Sequence, residues 1–175
     1  MFVQFEDLPP TARIWIYQAN RPLTPAEEAA VQPLLRQFAT DWTSHGRALQ
    51  ASAAFLYHQF LVVGLDENVA DASGCSIDAS VRFVHELEAR LGITLLEKSN
   101  LAFLLGGQVC QLDRRELRAA VADGRLQPDT PYFDATITTH AELQQHWPAP
   151  ATATWLKRYF PAPATNGVPE GYNAA

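Results

Sequence analysis

The chain has 175 residues, with 13 Lys and Arg against 19 Asp and Glu, a formal net charge of −6 and 47% hydrophobic residues. That apolar content excludes a disordered chain, and 2 cysteines exclude a disulfide-stapled secreted mini-protein. The acidic balance counts against a nucleic-acid binder, which needs a basic face. Apolar runs such as Phe60 to Leu65 are too short to cross a bilayer, so no membrane insertion is expected. The opening Met1-Phe2-Val3-Gln4 has no basic or long apolar stretch, which predicts a cytoplasmic protein without a signal peptide.

The run Arg13 to Gln18 is β-branched and aromatic and reads as a buried strand. Thr24, Pro25 and Glu27 then supply an N-cap, a first-turn proline and a capping box. Val31, Leu34, Leu35, Phe38 and Trp42 follow at helical spacing. Pro33 predicts a kink or break in that helix, and Gly46 after His45 predicts its left-handed stop. Residues 51–67 read as a hairpin turning near His58-Gln59, since 17 residues would be long for one strand.

A polar loop from Asp66 to Gly74 precedes a second amphipathic helix, with Ile77, Val81, Val84, Leu87 and Leu91 on one face and Gly92 as its stop. Leu101 to Leu105 and Val109 to Leu112 flank Gly106-Gly107, a two-residue hairpin turn. Asp113 with Glu116 predicts a third helix closed by Gly124, and Asp134 to Ile137 a short strand. Thr139 with Glu142 opens a short helix to Trp147. Trp155, Leu156, Tyr159 and Phe160 suggest a last one. Residues 1–160 are expected as a single α+β domain, and 161–175, rich in Pro, Ala, Gly and Asn, as a flexible tail.

The order strand, helix, strand, strand, helix, strand is the ferredoxin-like, or split βαβ, pattern. It implies an antiparallel sheet with both helices on one face, here with an added hairpin strand and C-terminal helices. A parallel α/β sheet is the alternative if 51–67 is one strand. With the hairpin, the loops at His45-Gly46, Asp66 to Cys75 and Gly106-Gly107 share one rim. Asn20-Arg21, His58 and Asn100 share the other.

The first rim holds the most distinctive segment, Ser73-Gly74-Cys75-Ser76-Ile77-Asp78. Cys75 falls at a helix N-terminus, where free N–H groups and the helix dipole favour a thiolate or a bound anion. His45 as its base would make a Cys–His nucleophile. Ser73, Gly74 and Ser76, with Asp66 and Asp78, form the candidate ligand-binding set. The plain alternative is a serine cap and a packed cysteine, and the carboxylates of Asp66, Glu67, Asp71 and Asp78 would repel an anion there.

Known signatures fail on spacing. Arg82 is seven positions after Cys75, too far for a phosphatase loop. Ala70 and Asp71 break an EF-hand reading of 66–71. No Gly-Lys pair occurs, so there is no Walker A loop, and neither a Gly-x-Ser-x-Gly elbow nor a dinucleotide fingerprint is present. Cys75 and Cys110 lack zinc spacing, so no metal and no cofactor are expected. His140 and His146 read as solvated surface, and Arg114, Arg115 and Arg118 as a small solvated basic patch. Trp15, Tyr17, Trp42, Trp147, Trp155, Tyr159 and Phe160 offer walls for a ligand pocket. Trp15 and Trp42 nevertheless read first as core, and Trp155, Tyr159 and Phe160 as the docking face of the C-terminal helix, which becomes a partner surface if that helix docks incompletely.

Three segments, Arg13-Ile14-Trp15-Ile16-Tyr17-Gln18-Ala19-Asn20-Arg21, Trp42 with His45-Gly46, and Ser73 to Asp78, resemble a small, uncharacterised bacterial family. The likeness runs from the N-terminus to about Phe160. Its members often carry the label ABC transporter ATPase. The label implies ATP hydrolysis, but this chain lacks the phosphate cradle that such chemistry uses, and the resemblance implies no cofactor or catalytic residue. These readings favour a non-catalytic domain that binds a small ligand or a protein partner. A thiol enzyme using Cys75 with His45 is the alternative, and a homo-oligomeric accessory protein is a third reading.

Overall fold

The computed structural model describes residues 1–161, so the tail expected over 161–175 lies, past Pro161, outside the described residues. A 3-10 turn at Phe5–Asp7 leads into β1 (Arg13–Gln18). Thr24 and Glu27 exchange side chain-to-backbone bonds in the expected capping box and open α1 (Pro25–Asp41). The helix runs through Pro33 without a break, because Pro33 sits on the exposed face, where water can reach the carbonyl its missing N–H leaves unpaired. It also ends before the expected stop. His45 (φ 50°) and Gly46 (φ 76°) form instead the turn between β2 (Thr43–Ser44) and β3 (Arg47–Ala48). Two successive positive φ angles are what a primed two-residue hairpin needs.

The hairpin of β4 (Ala51–Leu56) and β5 (Phe60–Leu65) turns where expected, but on unusual residues. Tyr57 (φ 51°) and His58 (φ 57°) are both left-handed, at a cost of about 1–2 kcal/mol each for L-residues. Tertiary contacts hold them there. The Tyr57 ring stands edge-on to Phe133 at 4.8 Å, and Leu23 N–H donates to the His58 carbonyl at 2.7 Å. Buried Gln59 donates Nε2 to the Ala19 carbonyl at 3.1 Å. His58→Gly should therefore raise stability by about 0.5–1 kcal/mol in a thermal melt, since relieved strain outweighs the added chain entropy and the lost exposed contact to Glu28.

Ser73 and Ser76 close a capping box at the start of α2 (Gly74–Leu91), and Gly92 (φ 61°) ends it. Gly106 (φ 57°) and Gly107 (φ 78°) join β6 (Asn100–Leu105) to β7 (Gln108–Asp113). Asp113 caps a 3-10 turn, Arg114–Glu116, before α3 (Leu117–Ala122). The expected strand at Asp134 to Ile137 is absent. Asp134 Oδ1 instead accepts from the Thr136 N–H and hydroxyl, bending the chain, and the strand lies earlier as β8 (Pro131–Tyr132). After α4 (His140–His146) and β9 (Ala149–Pro150), the expected last helix is two 3-10 turns, Ala151–Ala153 and Trp155–Tyr159.

The architecture is α+β, with two main antiparallel sheets where the sequence predicts one. The first has the order β1–β5–β4; the second runs β7–β6–β8–β9. Both helices α1 and α2 cover one face of the first sheet, through Val31, Leu35, Phe83 and Val84 against Leu61, Val63 and Leu65. Its other face, carrying Ile14, Phe60 and Val62, packs on Ala102 and Leu104 of β6, Phe133 and Trp147. The alternate residues of β6, Leu101 and Phe103, pack outward on Leu117, Ala120 and Leu156. β6 is thus apolar on both faces. The first sheet covers one face and α3 with the C-terminal turns the other, while β7 and β8 pair with the two edges of β6.

Arg21 ties the two helices together, donating to both Glu27 carboxylate oxygens at 3.0 and 2.8 Å and to the Leu91 carbonyl at 2.9 Å. The Arg21 bonds first, then the Thr24 N–H, hold the Glu27 carboxyl at about 2, below its ordinary 4.5. A depressed folded-state pKa gives stability that is present above 4.5 and lost as pH falls towards 2. The melting temperature of the native protein should fall across that window. Glu27→Gln should flatten the fall, and an unchanged acid slope would remove Glu27 from the account.

Candidate functional site

The expected rim is partly assembled. Trp42 is buried, and its Nε1–H donates to the Ser76 carbonyl at 2.8 Å, which brings the β2–β3 turn to the start of α2. Asp66 N–H donates to the Gln50 carbonyl at the same end of the first sheet. Cys75, the second residue of α2, and His45, at the tip of its turn, are both exposed. No hydrogen bond joins them among the described residues.

The Ser73 and Ser76 hydroxyls are spent on the capping box, with Ser76 Oγ also donating to the Ser73 carbonyl at 2.8 Å. Nothing lies within 4 Å of a Cβ placed on Gly74, so no close approach requires glycine there. Asp66 Oδ1 accepts from the Asn68 N–H and Nδ2 at 3.0 and 2.8 Å, which folds its own loop. Asp78 is exposed on α2. Among the described residues no three His, Cys, Asp or Glu side chains gather to hold a metal ion. Gly106-Gly107 was expected on this rim, but β6 and β7 belong to the second sheet, so their turn is not at the end of the first. His140 is not surface: it is 2% exposed, its Nδ1 lies 2.9 Å from the Leu8 carbonyl, and its ring meets Phe5 edge-on.

A larger feature lies along β1. In its ladder to β5 the paired backbone groups belong to Arg13, Trp15 and Tyr17, so those of Ile14, Ile16 and Gln18 point to the opposite edge. Ile14 N–H donates there to the Thr138 carbonyl at 2.8 Å, and Ala12 accepts from His140 N–H. Beyond that bridge, Ile16 N–H and C=O and Gln18 N–H have no backbone partner among the described residues. The edge opens into a cleft of about 790 Å³, within the range of ligand sites. One wall is apolar, from Ile77 and Val81 of α2 with Leu95 and Leu96; the second sheet supplies Tyr132 and Phe133.

The cleft is basic in an acidic protein. Four cations line it, Arg13, Lys98, Arg114 and Arg158, against one acid, Glu97. Arg13 is paired with Glu67 at 3.4 Å. Arg114 and Arg158 make no ion pair among the described residues and sit over the Trp155 ring, at 5.3 and 5.0 Å from its centroid. The indole so gathers two guanidinium groups whose N–H donors have no partner among the described residues. Burial, with help from the Asp134 carboxylate, pushes the Tyr132 phenol up to about 12, while Trp155 and the Arg114 charge pull the other way. Tyr132 therefore stays neutral in this wall. Burial also raises the Tyr17 phenol.

The sequence reading passed over this set. Arg114, Arg115 and Arg118 look like one solvated patch, yet Arg115 pairs with Asp113 at 2.6 Å and only Arg114 lines the cleft. Trp155 and Arg158, three apart on a helical turn, were the visible part of the signal. Arg114 reaches them through folding alone. The chain matches no family model, no curated protein and no solved structure.

Proposed function

We propose that the protein is a non-catalytic binding domain that takes an extended protein segment along β1. The observation that carries this reading is the unpaired stretch of β1 facing the 790 Å³ cleft. An extended chain can add there as a strand, with backbone hydrogen bonds giving affinity and the walls giving selectivity. The order β1–β5–β4 with α1 and α2 on one face supports a split βαβ core of ferredoxin-like type, and the vacant place beside β1 is where the last strand of that pattern would pair. The ATPase label is not carried over, since the chain has no Walker loop. No described helix is long and apolar enough to cross a membrane, and the unpaired Cys75 and Cys110 support a reducing, cytoplasmic home.

Titration with a decapeptide of alternating valine and threonine, followed by amide NMR, tests the binding reading. Shifts should concentrate at Ile16, Gln18 and the cleft walls. Gln18→Pro deletes an outward N–H without touching the ladder to β5 and should weaken binding. Shifts centred on Cys75 and His45 instead, or turnover abolished by Cys75→Ser, would replace this reading with the thiol enzyme.

A further inference from the structure

We infer that the segment received along β1 is acidic, its carboxylates held by the Arg114–Trp155–Arg158 unit. The inference rests on the binding reading above and names the chemistry of the partner.

Three observations converge. The backbone offers unpaired outward groups at two alternate residues, Ile16 and Gln18, about 7 Å apart at the rise of a strand, directly beyond the bridge that Ile14 makes to Thr138. A donor and an acceptor on Ile16 followed by a donor on Gln18 match the alternation of a peptide backbone. The α2 wall, with Ile77, Val81, Leu95 and Leu96, suits aliphatic side chains. Finally, the cleft gathers four cations and one acid in a chain of net charge −6. Two of those cations, Arg114 and Arg158, lie over the Trp155 ring and are free of acidic partners among the described residues. Guanidinium groups with unspent donors bind carboxylates in bidentate fashion, and their planar fork loses little entropy in doing so. A single-stranded nucleic acid could stack on Trp155, but it has neither the backbone repeat for β1 nor side chains for the aliphatic wall.

The test uses the full chain and fluorescein-labelled decapeptides in which valine alternates with glutamate, lysine or threonine, read by anisotropy at low and high salt. The glutamate peptide should bind at least about tenfold more tightly than the lysine peptide, a difference of about 1.4 kcal/mol. Added salt should erode that preference. Arg114→Glu with Arg158→Glu, both at exposed positions, should abolish or reverse the preference. Gln18→Pro should weaken all three peptides together.

Equal binding of the three peptides with Ile16 and Gln18 still shifting overturns the acidic preference and leaves the binding reading intact. If no peptide moves those amides, both fail. Tighter binding of a ten-nucleotide oligothymidylate overturns the inference in favour of nucleic acid. Complete displacement of the glutamate peptide by inorganic phosphate at equal concentration does so in favour of a small anion. Loss of peptide binding as the protein dimerises with rising concentration does so in favour of a second copy of this chain.

Discussion

Phe60→Ala should cost about 3–5 kcal/mol, the range for removing a large aromatic from a core that cannot collapse. Phe60 is fully buried and opens β5, with its ring 4.7 Å from Phe133 and 4.9 Å from Trp147. Those neighbours belong to elements on the far side of the inter-sheet core, so the vacated space cannot be filled from one direction. Trp147 is itself fixed, its Nε1–H donating to the Asp134 carbonyl at 3.1 Å. The loss also weakens the ring cage around Tyr57, and with it the support for a strained turn. Urea unfolding should show a lower midpoint with an unchanged slope, and Phe60→Leu should cost less because it keeps more volume. A cost below about 1 kcal/mol would show that the two sheets do not depend on this contact.

Trp42→Ala should be of similar size, about 3–5 kcal/mol, for a different reason. Trp42 is the C-cap of α1, 3% exposed, with Phe38 at 5.2 Å and Trp15 at 6.1 Å. Its indole N–H reaches the Ser76 carbonyl in the first turn of α2. The side chain thus joins the end of one helix to the start of the other. Trp42→Phe keeps most of the packing and loses the hydrogen bond, which predicts a cost of about 1–2 kcal/mol. Amide shifts spreading to Ser44–Gly46 and Ser73–Ser76 in the phenylalanine variant would confirm the link. Shifts confined to α1 would break it.

What the sequence allowed depended on how locally each feature is determined. The capping boxes at Thr24–Glu27 and Thr139–Glu142 are spelled out by residues three apart, and both form. Gly106-Gly107 likewise dictates its own turn. The β4–β5 reversal was harder, since Tyr57 and His58 are not the Gly or Asn that announce such a turn and are held there by Phe133 and Leu23, both distant in the chain. The partnering of β6 was out of reach for the same reason. Its Leu101-Ala102-Phe103-Leu104 run states that both faces are buried but not against what. The burial of His140 depends on Leu8, 132 residues earlier. The site followed suit: Cys75 was legible as a helix start, while the Arg114–Trp155–Arg158 unit exists only after the second sheet has formed.

An unpaired strand edge is also a hazard, because any other edge can zip onto it, including that of an identical molecule. Here the basic side chains around β1 act as gatekeepers. Two copies meeting edge to edge would press Arg13, Lys98, Arg114 and Arg158 of each against the same four of the other. That repulsion fades once the Debye length shrinks below the spacing of the facing groups, at about 3 Å in 1 M salt. Concentrated brine, which keeps many acidic proteins dispersed, should make this one clump, with turbidity rising with ionic strength and falling again when Gln18→Pro blunts the edge.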